Sequence, residues 1–351
     1  GLKAFMRSVY IGTDANEVAG ASGGPVQVET TYSTGELELG TTYYWRVDEF
    51  DGMWHESPVW SFTTVPDIEV QDPDLMAWWK LDEAAGTTAV DWSGHGNHGL
   101  LVGPEWMVPG WIGQAALDFS ESGAGSYVAI DNLVYDTNDM TAVSVCAWVR
   151  TSNAGTQYIV SADRNEYYRL EIAGSGGGPG QVGWDVMTDT GQVDYGSVTR
   201  VDDGQWHHVT GVFDNGTLTI YIDGIAEPSA TGGPLMGTAN PRYVFIGANS
   251  EATEFNGNRG GGDPVDGGVD DVRIYHKALT AAEIAEVMRG DPLMAWDFQP
   301  ANGRTVDIRE ITSLSWAAGD LADEHDVYLG TDVNDVLMAD TSDATGVYRG
   351  R

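Results

Sequence analysis

The chain has 351 residues, 42% of them apolar, with 13 Trp, 15 Tyr and 8 Phe, enough to bury the cores of two or three domains and too much for a disordered segment. Its 17 Lys and Arg stand against 53 Asp and Glu, a net charge of -36, which repels nucleic-acid phosphates and anionic membrane surfaces and leaves divalent cations and neutral glycans as the partners that charge favours. One cysteine, Cys146 in the apolar run 143–149, excludes an intrachain disulfide and a cysteine zinc site, and no run of 18 apolar residues is present to insert into a membrane.

From the start, SVYIGTDANEV (8–18) is followed by two runs of strand-forming residues, TTYYWRVDEFDG (41–52) and VWSFTT (59–64), the first ending in an acidic turn. The segment VPDIEVQDPD (65–74) is acidic and contains Pro, as in a semi-rigid spacer. The sequence opens GLKAFMRS with neither an initiator Met nor a signal peptide, and so reads as a piece of a longer precursor.

The middle of the chain carries MAWWKLDEAAGTTAVDWSGHGNHGLL (76–101), GQAALDFS (113–120), GQWHHVTGVFDNGTLTIYIDG (204–224) and VDDVRIYHKALTAAEIAEVM (269–288). Leu218, Ile220 and Ile222 alternate with Thr219, Tyr221 and Asp223, the period of a half-buried strand, and Asp214-Asn215-Gly216 before them signals a hairpin turn. Val269, Val272 and Ile274 form a last strand, with Asp270 and Asp271 at its start where a hard cation could be held, although alternation sends the two carboxylates to opposite faces. Thr280 and Glu283 make a capping box for a short helix closing one end of the domain. His207 and His208, consecutive on a strand, point to opposite faces and do not share a metal, Trp206 is expected as a core anchor, and Cys146 as a buried small hydrophobe.

Together these runs resemble the LamG-like (concanavalin A-like) jelly-roll family over about 75–290. The resemblance implies two antiparallel sheets packed face to face, commonly a structural calcium ion, and a role in extracellular binding or adhesion. It also places the turn DWSGHGN beside the last strand, so that Asp91 and Asp270 would supply carboxylates while Ser93, His95 and Asn97 offer carbonyl or amide oxygens to Ca2+. The alternative for the turn is a hydrogen-bonded loop in which Asp91 caps backbone N–H groups.

At the C-terminal end DVYLGTDVNDV (326–336) repeats the segment 8–18 at an offset of 318 (326 minus 8), preceded by FQPANG (298–303) and SLSWAAG (313–319). The two ends resemble fibronectin type III-like modules of large secreted bacterial proteins, the first lacking its opening two strands and the second its closing ones. Either the chain is a window on a long modular array, or neighbouring subunits complete each other's sheets by strand addition. The tripeptide Arg289-Gly290-Asp291 matches an integrin-binding motif but is explained by Gly290 ending a helix before Pro292.

The expected fold is therefore all-β: a central two-sheet jelly-roll sandwich at 75–290, joined by a linker at 67–74 to a partial immunoglobulin/fibronectin-like module at 1–66 and followed by another at 291–351. A glycan surface is expected from aromatic and planar polar side chains on loops, Tyr167, Tyr168, Trp184, Asp185, Tyr195, Asn256, Asn258 and Arg259, bordered by the Gly-rich stretches 174–180 and 257–268, the alternative being that Trp184 and Tyr168 are ordinary strand residues. The paired-carboxylate strand Glu-x-Asp-x-x-Glu of sandwich glycosidases is absent, as are a nucleophile elbow, a phosphate loop and a zinc helix. The function these readings favour is a non-enzymatic, secreted or cell-surface adhesive protein. The alternatives are a carbohydrate-binding accessory region of a polysaccharide-degrading enzyme and a filament subunit binding other copies of itself.

Overall fold

A computed structural model of the chain describes residues 4–120, 125–131, 133, 140–162, 168–174, 176–237, 243–249, 262–300, 305–307, 309, 312–342 and 346–351. The chain forms two compact units, Gly1–Glu69 and Val70–Arg351. Among the described residues no helix is long and apolar enough to cross a membrane.

In the first unit Met6–Gly12 pairs antiparallel with Thr42–Phe50 along its whole length, and Val26–Gln27, Trp54–His55 and Trp60–Thr63 add to this ribbon. Asp14 accepts from the backbone N–H groups of Asn16 and Glu17 and so starts the short helix Ala15–Gly20. On the side of the sheet facing the chain after this helix, buried Arg46 pairs with Asp48 and donates to the carbonyls of Ala19 and Ala21.

The second unit is dominated by two eight-stranded antiparallel sheets. In the first sheet the order is Ile225–Thr231, Thr217–Ile222, Trp206–Asp214, Ala142–Thr151, Gly267–Tyr275, Ala116–Asp118 and Glu105–Met107, with Leu75–Trp79 also on Gly267–Tyr275. The second runs Gly191–Arg200, Gln181–Thr188, Tyr168–Ile172, Gln157–Ala162, Val244–Ile246, Tyr127–Ile130, Gly99–Val102 and Thr88–Ala89. Strands distant in sequence are neighbours in both, and one apolar core drawn from both sheets, including Trp79, Val145, Val209 and Val272 from the first and Val128, Ile159, Leu170 and Trp184 from the second, fills the space between them. This is the expected jelly-roll sandwich.

Local signals hold where they are local. Asn215 and Gly216 take φ of 45° and 86° in the tight turn joining Trp206–Asp214 to Thr217–Ile222, and Thr280 and Glu283 make both hydrogen bonds of the capping box. The helix Ala281–Val287 does not close an end of the sandwich. It lies on the outer face of the first sheet, where Ile284 and Val287 pack with Cys146, Val212 and Tyr275. Gly211 in mid-strand has a packing reason, since a Cβ there would stand 2.3 Å from the Trp184 ring of the opposite sheet.

Towards the C terminus Trp296–Gln299 pairs with Ser315–Ala317, and Val327–Tyr328 with Tyr348–Gly350. The repeated sequence repeats its structure, because Val327–Tyr328 is followed by the helix Val333–Met338 as Met6–Gly12 is by Ala15–Gly20.

Candidate functional site

The turn expected to hold calcium is built from hydrogen bonds to the main chain. Asp91 is fully buried and accepts from the backbone N–H groups of Trp78 and Ser93 on Oδ1 and of Asn97 on Oδ2, at 2.8–2.9 Å. Ser93 Oγ and Asn97 Nδ2 both donate to the Met76 carbonyl, and the Asn97 carbonyl accepts from the Trp79 indole. His95 N–H donates to Ser93 Oγ. Asp270 accepts from the N–H groups of Trp111 and Ile112 on Oδ2 and of Asp271 on Oδ1, each at 2.9 Å, and burial pushes its pKa up. Each carboxylate thus serves three backbone donors, and among the described residues no group of three or more His, Cys, Asp or Glu side chains is placed to hold a metal ion. The set as folded fits a hydrogen-bonded turn, not a cage of converging oxygens.

Alternation across Asp270 and Asp271 fails. The pairing of Gly267–Tyr275 with Ala142–Thr151 shifts register between Cys146 and Trp148, and Asp271 has a φ of 43°. Val269 and Val272, three residues apart, both reach the core, so the extra residue of the bulge puts the two carboxylates on the outer side together. Asp271 binds the Arg273 guanidinium through both oxygens and accepts from the Trp78 indole. Arg273 in turn donates to the Gly290 carbonyl, Lys80 reaches Asp291 at 2.6 Å, and Arg289 pairs with Glu286 and Asp320. The Arg-Gly-Asp tripeptide is therefore tied into the domain.

The expected glycan surface needs correction. Tyr168 and Trp184 are fully buried core residues with ring centroids 5.7 Å apart, because Tyr168–Ile172 and Gln181–Thr188 turn these positions inward. Asp185 is buried on the other face of that sheet with Arg169, which also pairs with Glu171, and desolvation pushes its pKa up to about 6. Tyr195 is half-buried and donates to the Pro228 carbonyl. In the Gly-rich stretch, Gly176 packs on the Tyr195 backbone. Tyr167, Asn256, Asn258 and Arg259 lie outside the described residues.

What the fold assembles instead is an aromatic platform on the outer face of the first sheet. Arg150 is the cross-strand partner of Trp206, and Trp148 that of His208. Trp111, held over this face by the two amides that Asp270 accepts, stacks on Trp206 with centroids 6.2 Å apart and leans on Trp148 at 5.6 Å. Trp206, expected in the core, is half-buried on this surface, as is Trp111, and the Trp206 ring reaches across Ala142–Thr151 to Gly268, where a Cβ would stand 2.7 Å from the ring edge. His208 is buried beneath, edge-on to Trp148, and desolvation lowers its pKa to about 3. His207 points away and lies between Asp223 at 2.8 Å and Asp203 at 3.1 Å, which raise its pKa.

Arg150 links the platform to a polar pocket of about 520 Å³ lined also by Thr151, Ser152, Asn153, Gly204 and Asp266. Its guanidinium lies 5.3 Å over the Trp206 ring and donates to Met107 Sδ. Among the described Lys and Arg residues, Arg150 and Arg349 alone have no carboxylate within 4.0 Å. Asn153 and Asp266 hold each other at 3.1 Å at the pocket wall. Half-exposed indole faces beside convergent planar polar groups can bind a sugar ring by stacking and its hydroxyls by hydrogen bonds. Sequence reading missed the site because Trp111, Arg150, Trp206 and Asp266 come from four separate segments.

Residues 122–285 match the family model of the concanavalin A-like lectin/glucanases superfamily. Among solved structures, domain 4 of AbnA, a GH43 extracellular arabinanase from Geobacillus stearothermophilus in complex with arabinotriose, is 22% identical over 61% of this chain and 98% of its own, with a TM-score of 0.46. The binding domain of Paraclostridial Mosquitocidal Protein 1 is 14% identical over 62% of this chain and 52% of its own, TM-score 0.45. The botulinum neurotoxin serotype D binding domain is 17% identical over 63% and 52%, TM-score 0.45. The chain thus spans about half the length of the two toxin domains. No curated protein matches the chain.

Proposed function

We propose that this chain is a non-catalytic, carbohydrate-binding and adhesive part of a secreted or cell-surface protein, with the Trp111–Trp206 platform and the adjoining Arg150 pocket as its glycan-facing surface. The observation that carries the reading is the pair of stacked, half-buried indoles joined through Arg150 to a pocket lined also by Asn153 and Asp266. Fully buried aromatic rings would only add core, whereas partly exposed rings beside polar side chains at a pocket wall can bind ligands. The match of 122–285 to a lectin and glucanase family model agrees with this class. Hydrolysis is the less favoured member of that class, since Glu171 and Asp185 are buried and share Arg169 instead of facing each other across an open cleft.

The test is retention of the full chain in gels containing neutral polysaccharides such as arabinan, galactan and β-glucan. Retention by at least one of them is expected, and Trp206→Ala or Trp111→Ala weakens it about tenfold, the size of one lost ring contact. Retention that ignores both substitutions, or none on any polysaccharide, removes the reading. Release of reducing sugar abolished by Glu171→Gln would make the chain an enzyme instead.

A further inference from the structure

Arg150 has no counter-ion in a chain that sets 53 Asp and Glu against 17 Lys and Arg. Its sheet neighbours give the reason. Trp206 stands opposite it on one flanking strand and Gly268 on the other, and the positions two before and two after it are Trp148 and Ser152, none of them charged. The guanidinium is half-buried, lies 5.3 Å over the Trp206 ring and donates to the Met107 thioether, a weak acceptor. Arg349, the other described Lys or Arg without a carboxylate, is exposed and lines no such pocket.

A guanidinium held in place by an indole and lining a pocket of about 520 Å³ is complementary to a carboxylate, which accepts two parallel N–H donors and bonds about twice as strongly as a neutral acceptor. Asp266 lines the same pocket and takes its hydrogen bond from Asn153 at 3.1 Å, not from Arg150. Its carboxylate is exposed and has acceptor capacity to spare for a ligand hydroxyl. The pocket therefore pairs one cation with one anion that do not neutralise each other, and a ligand that satisfies both carries an acid group and hydroxyls on one rigid frame.

Building on the glycan-facing reading of this surface, we infer that the Arg150 pocket selects a hexuronic acid, a pyranose whose carboxylate pairs with Arg150 and whose hydroxyls reach Asp266 and Ser152. The net charge of -36 repels a run of carboxylates as a whole. A single acid at Arg150 feels mainly the charges nearest to it, because the Debye length at physiological salt is about 8 Å. The ligand is thus a largely neutral glycan with sparse uronic-acid units, not a polyuronate.

Calorimetric titration of the full chain in physiological salt tests this with matched oligosaccharides: a neutral xylo-oligosaccharide carrying one glucuronic acid, another carrying one galacturonic acid, and each after reduction of its carboxylate to the primary alcohol. At least one acid is expected to bind about tenfold or more tighter than its reduced form, the difference between a charged and a neutral acceptor. Arg150→Gln should abolish that difference, and Trp206→Ala should weaken both members of the pair. The comparison on the wild type needs no variant, so it stands even if Arg150→Gln fails to fold. Acid and reduced forms that bind alike, acids that bind more weakly, or a preference that persists in Arg150→Gln would overturn the selection. Equal binding that Trp206→Ala weakens leaves the glycan-facing reading in place and removes only the hexuronic acid. No binding by any of the oligosaccharides removes the hexuronic acid too, and retention in the neutral gels then decides the wider reading by itself.

Discussion

Replacing Asp270 by Ala removes the acceptor of three buried backbone N–H groups, those of Trp111, Ile112 and Asp271. Each buried amide left without a partner costs roughly 1–3 kcal/mol, while relieving the burial of a carboxylate returns part of that, so the net loss is about 3–5 kcal/mol. Asp270→Asn keeps one carbonyl oxygen for Trp111 and Ile112 but turns an NH2 towards the Asp271 N–H, and about half the loss is expected. Because the same amides hold Trp111 over Trp206, both variants should also lose polysaccharide retention, in the order of their instability. The assay is urea unfolding of the full chain followed by near-ultraviolet circular dichroism, with and without EGTA. The reasoning is refuted if Asp270→Ala costs under about 1 kcal/mol. It is equally refuted if EGTA destabilises the wild type but not the variant, which would make the carboxylate a calcium ligand.

Other consequences follow from groups enclosed in the sandwich. Arg273→Ala leaves Asp271 buried without its counter-ion and should cost about 3–5 kcal/mol by urea unfolding, whereas Arg273→Met with Asp271→Asn should recover most of it. His208 titrates near 3 when folded and near 6.5 when unfolded, so between these values the unfolded chain binds the extra proton and stability falls as the pH is lowered. His208→Gln should flatten the slope of unfolding free energy between pH 6 and 4 by about 1.4 kcal/mol per pH unit, and an unchanged slope would mean that the ring takes up its proton in the fold. Burial raises the Cys146 thiol to about 12, so Ellman's reagent should fail to label it until urea unfolds the domain, and rapid labelling of the native chain would contradict its position under the helix Ala281–Val287.

Features set by neighbours in the sequence were legible without coordinates. The alternation at Leu218, Ile220 and Ile222, the Asn215-Gly216 turn and the Thr280–Glu283 capping box each depend on a few adjacent residues, and each forms as expected. Longer runs in order over about 75–290 carry the resemblance that implied two packed antiparallel sheets. The glycan candidates Tyr168 and Trp184 illustrate the limit, since an aromatic residue in a strand reads alike whether its face meets core or solvent, and sheet stacking put both in the core.

Composition, alternation and turn chemistry settled the class of fold, the acidity that turns away polyanions and the recurrence of one unit at both ends, because backbone preference and charge belong to the residues themselves. Pairing between distant strands settled the rest. A bulge at Asp271 moved a carboxylate to the other face, three backbone amides came to each of the Asp91 and Asp270 carboxylates, and Trp111, Arg150 and Trp206 met on a surface to which no stretch of sequence contributes more than one of them. Register and layer contacts place side chains that are far apart along the chain, and those forces act only once the sheets have formed.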